Sequence, residues 1–318
     1  MHLPNRAATP VLFMAAFAGL CSAQEWTESS VVQKFLEQSP YAREARARVA
    51  ITAAEAKGRS LYANPSVSYS REGAGLTEFF QAQQTISING RQKLLRQAGA
   101  SSVRATEAEG AFDVWQARTS LRTAFYLVLA AQEREAVYST GLKEIEDVIR
   151  VLRDREREGE GSKFDRLRTE RERAELLAEL ALVRAETELA RSRMLAFLPP
   201  DTQITIVSGQ IETQLLPLNA SGLVQRAMSV REDYRAEQRR LEQFRLEQRA
   251  AERLRIPEPV LNAGLKRADV GQNRIETGPV VGVSVPLPLF NKGQAEVARY
   301  SAEQERISAR LQILSQRI

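Results

Sequence analysis

The sequence predicts a mainly α protein with a small β part, in which long antiparallel helical hairpins dominate. Three observations predict this fold class. Ala, Glu, Arg, Leu and Gln are abundant and aromatic residues make up only 6% of the 318 residues, a bias that is typical of long helices. No proline interrupts the chain between Pro65 and Pro199. Four short segments instead alternate apolar and polar residues, and this period of two is typical of β-strands.

Residues 1–23 have the pattern of a signal peptide. Arg6 lies in a weakly basic start, Val11 to Leu20 form a short apolar core, and small residues from Cys21 to Ala23 suit a signal peptidase. We therefore expect an exported protein that is cleaved after Ala23 and whose mature chain contains no cysteine. Lipidation of Cys21 remains the alternative. Beyond the leader no window of ~18 apolar residues exists, which excludes a membrane-spanning helix.

The longest predicted helix covers residues 91–158 and would be a rod of roughly 100 Å at 1.5 Å per residue. A helix of this length needs neighbours in a coiled coil or a helical wall. Gly159 and Gly161 then predict a tip at 159–163, and Ser162 is a candidate N-cap with Asp165 at the third position beyond it. A return helix at 164–198 completes an antiparallel hairpin.

The return helix carries two apolar seams. The first seam is Phe164, Leu167, Ala174, Ala178, Ala181, Ala185 and Leu189, interrupted by Arg171, and the second is Leu176, Leu180, Val183, Ala190, Met194 and Phe197. Two seams favour a helix with close neighbours on both sides, as in the wall of a tube. An ordinary amphipathic helix in a bundle is the alternative.

The alternating segments fall into two predicted β-hairpins, at 66–88 and 260–289. Each segment has one apolar and one polar or small-residue side, as a transmembrane barrel with a wet lumen requires. A soluble sheet with one buried face would show the same alternation. The positions predicted to face lipid are Val67, Tyr69, Phe80, Ile86, Leu261, Leu265, Val281, Val283 and Val285.

The layout occurs twice along the chain. A first repeat at 24–198 and a second at 223–318 each run from a helix (about 28–62 and 221–254) through a hairpin to another helix, with an equatorial linker at 199–222 between the repeats. Asn89-Gly90-Arg91 in the first repeat matches Asn291-Lys292-Gly293 in the second. The second repeat has no room for a tip and a return helix, so we expect a chain that is incomplete at its C-terminus, as a fragment or a truncated reading frame.

Four motifs in this order resemble the TolC-like outer-membrane efflux proteins, nearest their heavy-metal or cation branch. The motifs are Asn64-Pro65, Gln84 to Ile88 leading into Gly90-Arg91, the tip from Gly159 to Asp165, and the Pro-Leu-Pro segment from Val285 to Gly293. The resemblance implies a homotrimer, in which each protomer gives four strands to a shared β-barrel in the outer-membrane lipid and long helices to a periplasmic α-barrel tunnel.

The same resemblance implies the partners. The tip residues Gly159, Gly161, Ser162 and Asp165 would dock a periplasmic adaptor (membrane fusion) protein, which links the duct to an inner-membrane pump. The cargo would be metal cations or drugs, carried passively because the pump supplies the energy.

The sequence contains no pattern that is typical of a catalytic, metal-binding or phosphate-binding site. His2 is the only histidine, there is no His/Cys cluster for a metal, and no phosphate-binding glycine loop is present. The 45 basic and 40 acidic residues are interleaved as solvated helix faces, so nucleic acid is not an expected partner. We expect no enzyme, no catalytic residue, no metal and no cofactor. A periplasmic coiled-coil adaptor or scaffold, or a nonfunctional remnant of a duct, remains as an alternative function.

Overall fold

The computed structural model describes residues 26–73, 76–211, 220–272 and 274–318. The predicted signal peptide 1–23, with Cys21, and residues 212–219 of the predicted linker lie outside the described residues. The helices are Glu28–Gln38 (α1), Pro40–Arg59 (α2), Arg91–Arg157 (α3), Lys163–Leu195 (α4), Ala220–Val230 (α5), Glu232–Glu252 (α6) and Gln294–Arg317 (α7). The strands are Ser66–Glu72 (β1), Thr77–Thr85 (β2), Val260–Asp269 (β3) and Ile275–Ser284 (β4). The predicted fold class, mainly α with a small β part, is confirmed.

Two helices that the sequence predicts as continuous are each broken once. The helix expected at 28–62 splits at Ser39 because Pro40 has no N–H for a helix interior and instead takes the first position of α2. The Ser39 hydroxyl caps α2 by accepting from the Tyr41 N–H at 3.1 Å. The helix expected at 221–254 splits at Arg231, whose backbone is extended and whose guanidinium binds the Asp233 carboxylate.

Helix α3 is the central element of the helical part and packs against α2, α4 and α6, while α6 also packs against α7. The main apolar core lies where α1, the middle of α3, the end of α4 and the following segment meet. Its buried members include Val31, Phe35, Leu121, Phe125, Val128, Met194, Ile204 and Val207. A backbone bridge between Trp26 and Val207 holds the described part of the linker against this core.

The two hairpins join into one antiparallel sheet with the order β1-β2-β3-β4. Because β2 pairs with β3, strands from the two predicted repeats lie side by side, and Phe80 faces Leu265 across the junction. The strands pack against one another rather than against the helices in the described part of the chain. Within the described residues no further strand pairs with the outer edge of β1 or of β4.

Helix α6 buries two glutamates that the sequence places on a solvated face. Glu237 and Glu247 are 4% and 3% exposed, so the expectation of solvated charge is wrong at these positions. Glu247 forms a bidentate ion pair with Arg59 of α2, and Glu237 binds Arg310 of α7 at 2.8 Å. These pairs tie α6 to helices from both predicted repeats.

Burial by itself raises the pKa of the Glu247 carboxyl. The hydrogen bonds from Arg59, Tyr300 and Gln243 outweigh that effect and hold the pKa below its usual range. Glu247 is therefore a charged group at neutral pH inside the helix packing.

Candidate functional site

One face of the sheet collects the apolar positions singled out by sequence. Residues directly opposite in an antiparallel pair lie on the same face, so the register joins the strands row by row. Seven predicted positions share this face and are exposed: Val67, Tyr69, Phe80, Leu261, Leu265, Val281 and Val283. Val67 and Val281 expose 84% and 81% of their surface. We call these seven residues the apolar face; its contact with lipid stays a prediction.

The other two predicted positions, Ile86 and Val285, lie one residue beyond the ends of β2 and β4 and are not strand residues. Proline explains both ends, since it cannot donate to a ladder. Pro286 follows Val285 directly, while Ile86 faces Pro259, whose carbonyl oxygen accepts from the Ile86 N–H at 2.8 Å. Ile86 is half-buried and Val285 is 48% exposed.

Charged side chains bound the apolar face at the turn end of the sheet. Glu78 accepts from the Tyr69 hydroxyl at 3.0 Å and pairs with Arg267 of β3 at 3.5 Å. Arg71 lies opposite Glu78 in the register. This charged row is absent from the sequence predictions, although the two-residue period continued along each strand would have located it.

The opposite face of the sheet is polar and more shielded. Along β3 the residues of the polar face are half-buried apart from the exposed Lys266, whereas Leu261, Ala263 and Leu265 of the apolar side are exposed. Since no described helix packs on the sheet, this difference indicates that the sheet curves toward its polar side. A Cβ at Gly264 would lie 2.0 Å from the carbonyl oxygen of Phe80, so the close approach of β2 to β3 at this point requires glycine.

The predicted tip lies at the far end of the α3–α4 hairpin. Gly159 has a φ of +79°, which a residue with a side chain would adopt only under strain. Ser162 is the N-cap of α4, and its hydroxyl accepts from the Phe164 N–H at 3.2 Å. Asp165 lies in the first turn of α4, where its charge complements the helix N-terminus. The predicted tip residues Gly159, Ser162 and Asp165 are exposed and Gly161 is half-buried.

An ion-pair cluster that the sequence did not single out braces the hairpin behind this tip. Arg166 binds Glu156 at 2.6 Å and Glu170 at 3.0 Å, and Arg153 binds Glu170 at 3.0 Å. The two arginines lower the pKa of the Glu170 carboxyl, and the two carboxylates raise the pKa of Arg166. The cluster joins α3 to α4 and so fixes the register of the two helices next to the tip.

The two seams of α4 have different environments. In the second seam Leu180, Val183 and Met194 are buried. The first seam, from Phe164 to Leu189, is exposed along its whole length, and Phe164 reaches 70%. The chain itself thus covers one side of α4 and leaves the other side uncovered in the described structure.

Among the described residues no group of three or more His, Cys, Asp or Glu is arranged to hold a metal ion. No described helix is both long and apolar enough to cross a membrane.

Comparison with known proteins gives a match at the level of structure. No protein-family model and no curated protein matches the sequence.

Three solved structures illustrate the structural match. The fold is similar to that of the outer-membrane protein VceC of Vibrio cholerae, at 17% identity and a TM-score of 0.66 over 91% of this chain and 75% of that chain. It is also similar to the open MtrE outer-membrane channel of Neisseria gonorrhoeae, at 16% identity and a TM-score of 0.69 over 91% and 70%. For the CmeC outer-membrane channel of Campylobacter jejuni the identity is 12% and the TM-score 0.67 over 98% and 76%. The chain therefore has the fold of the TolC-like outer-membrane efflux channels.

Proposed function

We propose that this chain is a subunit of a passive outer-membrane export duct, in which three copies close their sheets into one barrel. The observation that carries the proposal is the exposed apolar face of a sheet whose opposite face is polar. Water does not stabilise such a face, and no described part of the chain covers it, whereas lipid hydrocarbon would. The open edges of β1 and β4 support the same arrangement, since a neighbouring copy can pair with each.

The exposed first seam of α4 supports the helical part of the assembly. Its alanines allow close approach of another helix, and a helix of a neighbouring copy would cover it as the second seam is covered by α3. Three hairpins side by side then form the wall of a periplasmic tunnel. The division into two structural repeats, with 199–222 as an equatorial linker, belongs to this proposal.

The proposal includes the partners. The tip residues Gly159, Gly161, Ser162 and Asp165 would dock a periplasmic adaptor protein, which couples the duct to an inner-membrane pump that supplies the energy. The braced and exposed tip supports this role, because a rigid surface loses little conformational entropy on binding. The duct performs no catalysis. The cation branch stays a prediction, since the structural neighbours do not separate it from drug export.

Membrane fractionation combined with electrophoresis tests the duct. We expect the mature protein in the outer-membrane fraction, beginning at Gln24, with a band of trimer mass that collapses to the monomer on boiling. A soluble monomer that stays out of the membrane fraction would contradict the proposal. Lipidation of Cys21 would instead be detected as a retained, acylated cysteine at the N-terminus.

A photo-crosslinking amino acid at position 165 tests the docking tip, with position 179 as the matched control. Both positions are exposed on α4, and 14 residues separate them, which is roughly 20 Å along the helix. We expect crosslinks from position 165, but not from 179, to a periplasmic protein that contains a helical hairpin. Equal products from both positions would remove the tip from the proposal.

A further inference from the structure

The polar face of the sheet carries few charges. The strand register arranges this face in rows of directly opposite residues. The rows nearest the helices contain serine, threonine, glutamine, asparagine, glycine and valine. Lys266 is the first charge met from that end, and Glu72 and Glu276 follow in the next row at the turn end. Every strand residue lies in the described part of the chain, so this order is complete for the sheet.

Lys266 is held on this face by the residue opposite. Phe79 pairs with Lys266 in the register, and the Lys266 Nζ lies 5.5 Å from the centroid of the Phe79 ring. The neighbour on the other side of Lys266 is Gly278, which has no side chain to cover the ammonium. Beyond Phe79 the row ends at the small Ser70. Lys266 is exposed, and no ion pair joins it to a carboxylate among the described residues.

The two nearby carboxylates do not cancel this charge. Glu276 forms an ion pair with Arg274. Glu72 lies on β1, two strands away from Lys266 and one row further toward the turn, which places it about 12 Å away at the spacings of a regular sheet. The positive charge of Lys266 therefore faces the space on the polar side of the sheet.

We propose that Lys266 from each of three copies forms a cationic ring in the outer section of the duct, so that this section favours anionic and neutral solutes over cations. The inference rests on the proposed function, because it needs the polar face to line a closed lumen. Three like charges at one level repel a cation and attract an anion, and low-dielectric walls strengthen the field across the opening. The ring argues against metal cations as the cargo and assigns a substrate class to the same duct.

Ion selectivity in planar lipid bilayers tests the ring. The full-length protein is reconstituted, and the reversal potential is measured in a KCl gradient around ~0.1 M salt, where the Debye length is about 10 Å. We expect the wild type to prefer Cl⁻ over K⁺. Lys266→Glu should lower that permeability ratio by about threefold or more, with Lys266→Gln in between. The differences should shrink at about 1 M salt, where screening acts within roughly 3 Å.

Arg267→Gln is the matched control, because Arg267 is the next residue of β3 and lies on the opposite face. It removes the same charge and should leave the permeability ratio unchanged. Conductance with the same ion preference in wild type and Lys266→Glu would overturn the ring and leave the duct intact. A wild-type protein without any conductance would overturn the duct and the ring together.

Discussion

Arginine substitutions at two adjacent residues of β4 test whether the apolar face of the sheet contacts lipid while the polar face contacts water. Val281 lies on the apolar face and is 81% exposed, whereas Val280 lies on the polar face and pairs with Gly264. Val281 is four residues from Thr277, in the charged row, which is roughly 14 Å along the strand. An arginine at that distance from the boundary lies deep in the apolar band, where it costs about 2–4 kcal/mol.

In a homotrimer the cost arises three times, so Val281→Arg should lower the free energy of unfolding by about 6–12 kcal/mol per trimer. Val280→Arg, at the same depth but on the polar side, should cost far less. Denaturant unfolding of the protein reconstituted in phospholipid vesicles measures both values. The fraction of protein that migrates as a trimer without boiling gives a second readout. Equal destabilisation by the two substitutions would refute the assignment of the faces.

Two further predictions concern the helical part. Gly293→Ala should destabilise the protein more than Gly90→Ala. Both glycines precede a helix at positive φ, where a side chain costs about 1–2 kcal/mol. Only at Gly293 would the added Cβ also clash, because it would lie 2.6 Å from the Ala251 carbonyl oxygen. Glu247→Gln should cost about 1–3 kcal/mol, because it weakens the pair with Arg59 inside the packing. Thermal or denaturant unfolding measures each effect.

Controls sharpen both experiments. Glu242→Gln removes a half-exposed partner of Arg239 and should cost only about 0–1 kcal/mol. Because the folded pKa of Glu247 is lowered, its stabilisation is complete above the ordinary carboxyl pKa and is lost as pH falls through the folded value. Wild type and Glu247→Gln should therefore converge in stability in acid. A constant difference at all pH values, or equal losses at the two glycines, would show that the reasoning is wrong.

The faces of the sheet could be predicted from sequence because alternation with period two is a local property. Val67, Phe80, Leu265 and Val281 need only their own strands to be assigned to one side. The union of both hairpins into one sheet is a long-range pairing of β2 with β3, and no local pattern encodes it. The end of β2 before Ile86 does not follow from its own segment, because the limiting Pro259 directly precedes the partner strand β3.

The burial of Glu237 and Glu247 could not be predicted for a related reason. Charged and amide side chains make up most of α6, so nothing in its sequence distinguishes the two buried glutamates from the other acidic residues of this helix. The partners Arg59 and Arg310 are 188 and 73 residues away in the sequence. The tip was easier to predict, since glycine and serine terminate and start helices through their own backbone chemistry.

The open edges of β1 and β4 have a consequence for how stability can be measured at all. Among the described residues each edge has no strand partner for its N–H and C=O groups, and hydrocarbon offers them no hydrogen-bonding substitute. A solitary protomer would carry two such rows into the bilayer. If neighbours supply the missing bonds, insertion and association are a single event, and its midpoint shifts with protein concentration. Dilution of the protein should then lower the fraction of folded trimer, as added denaturant does.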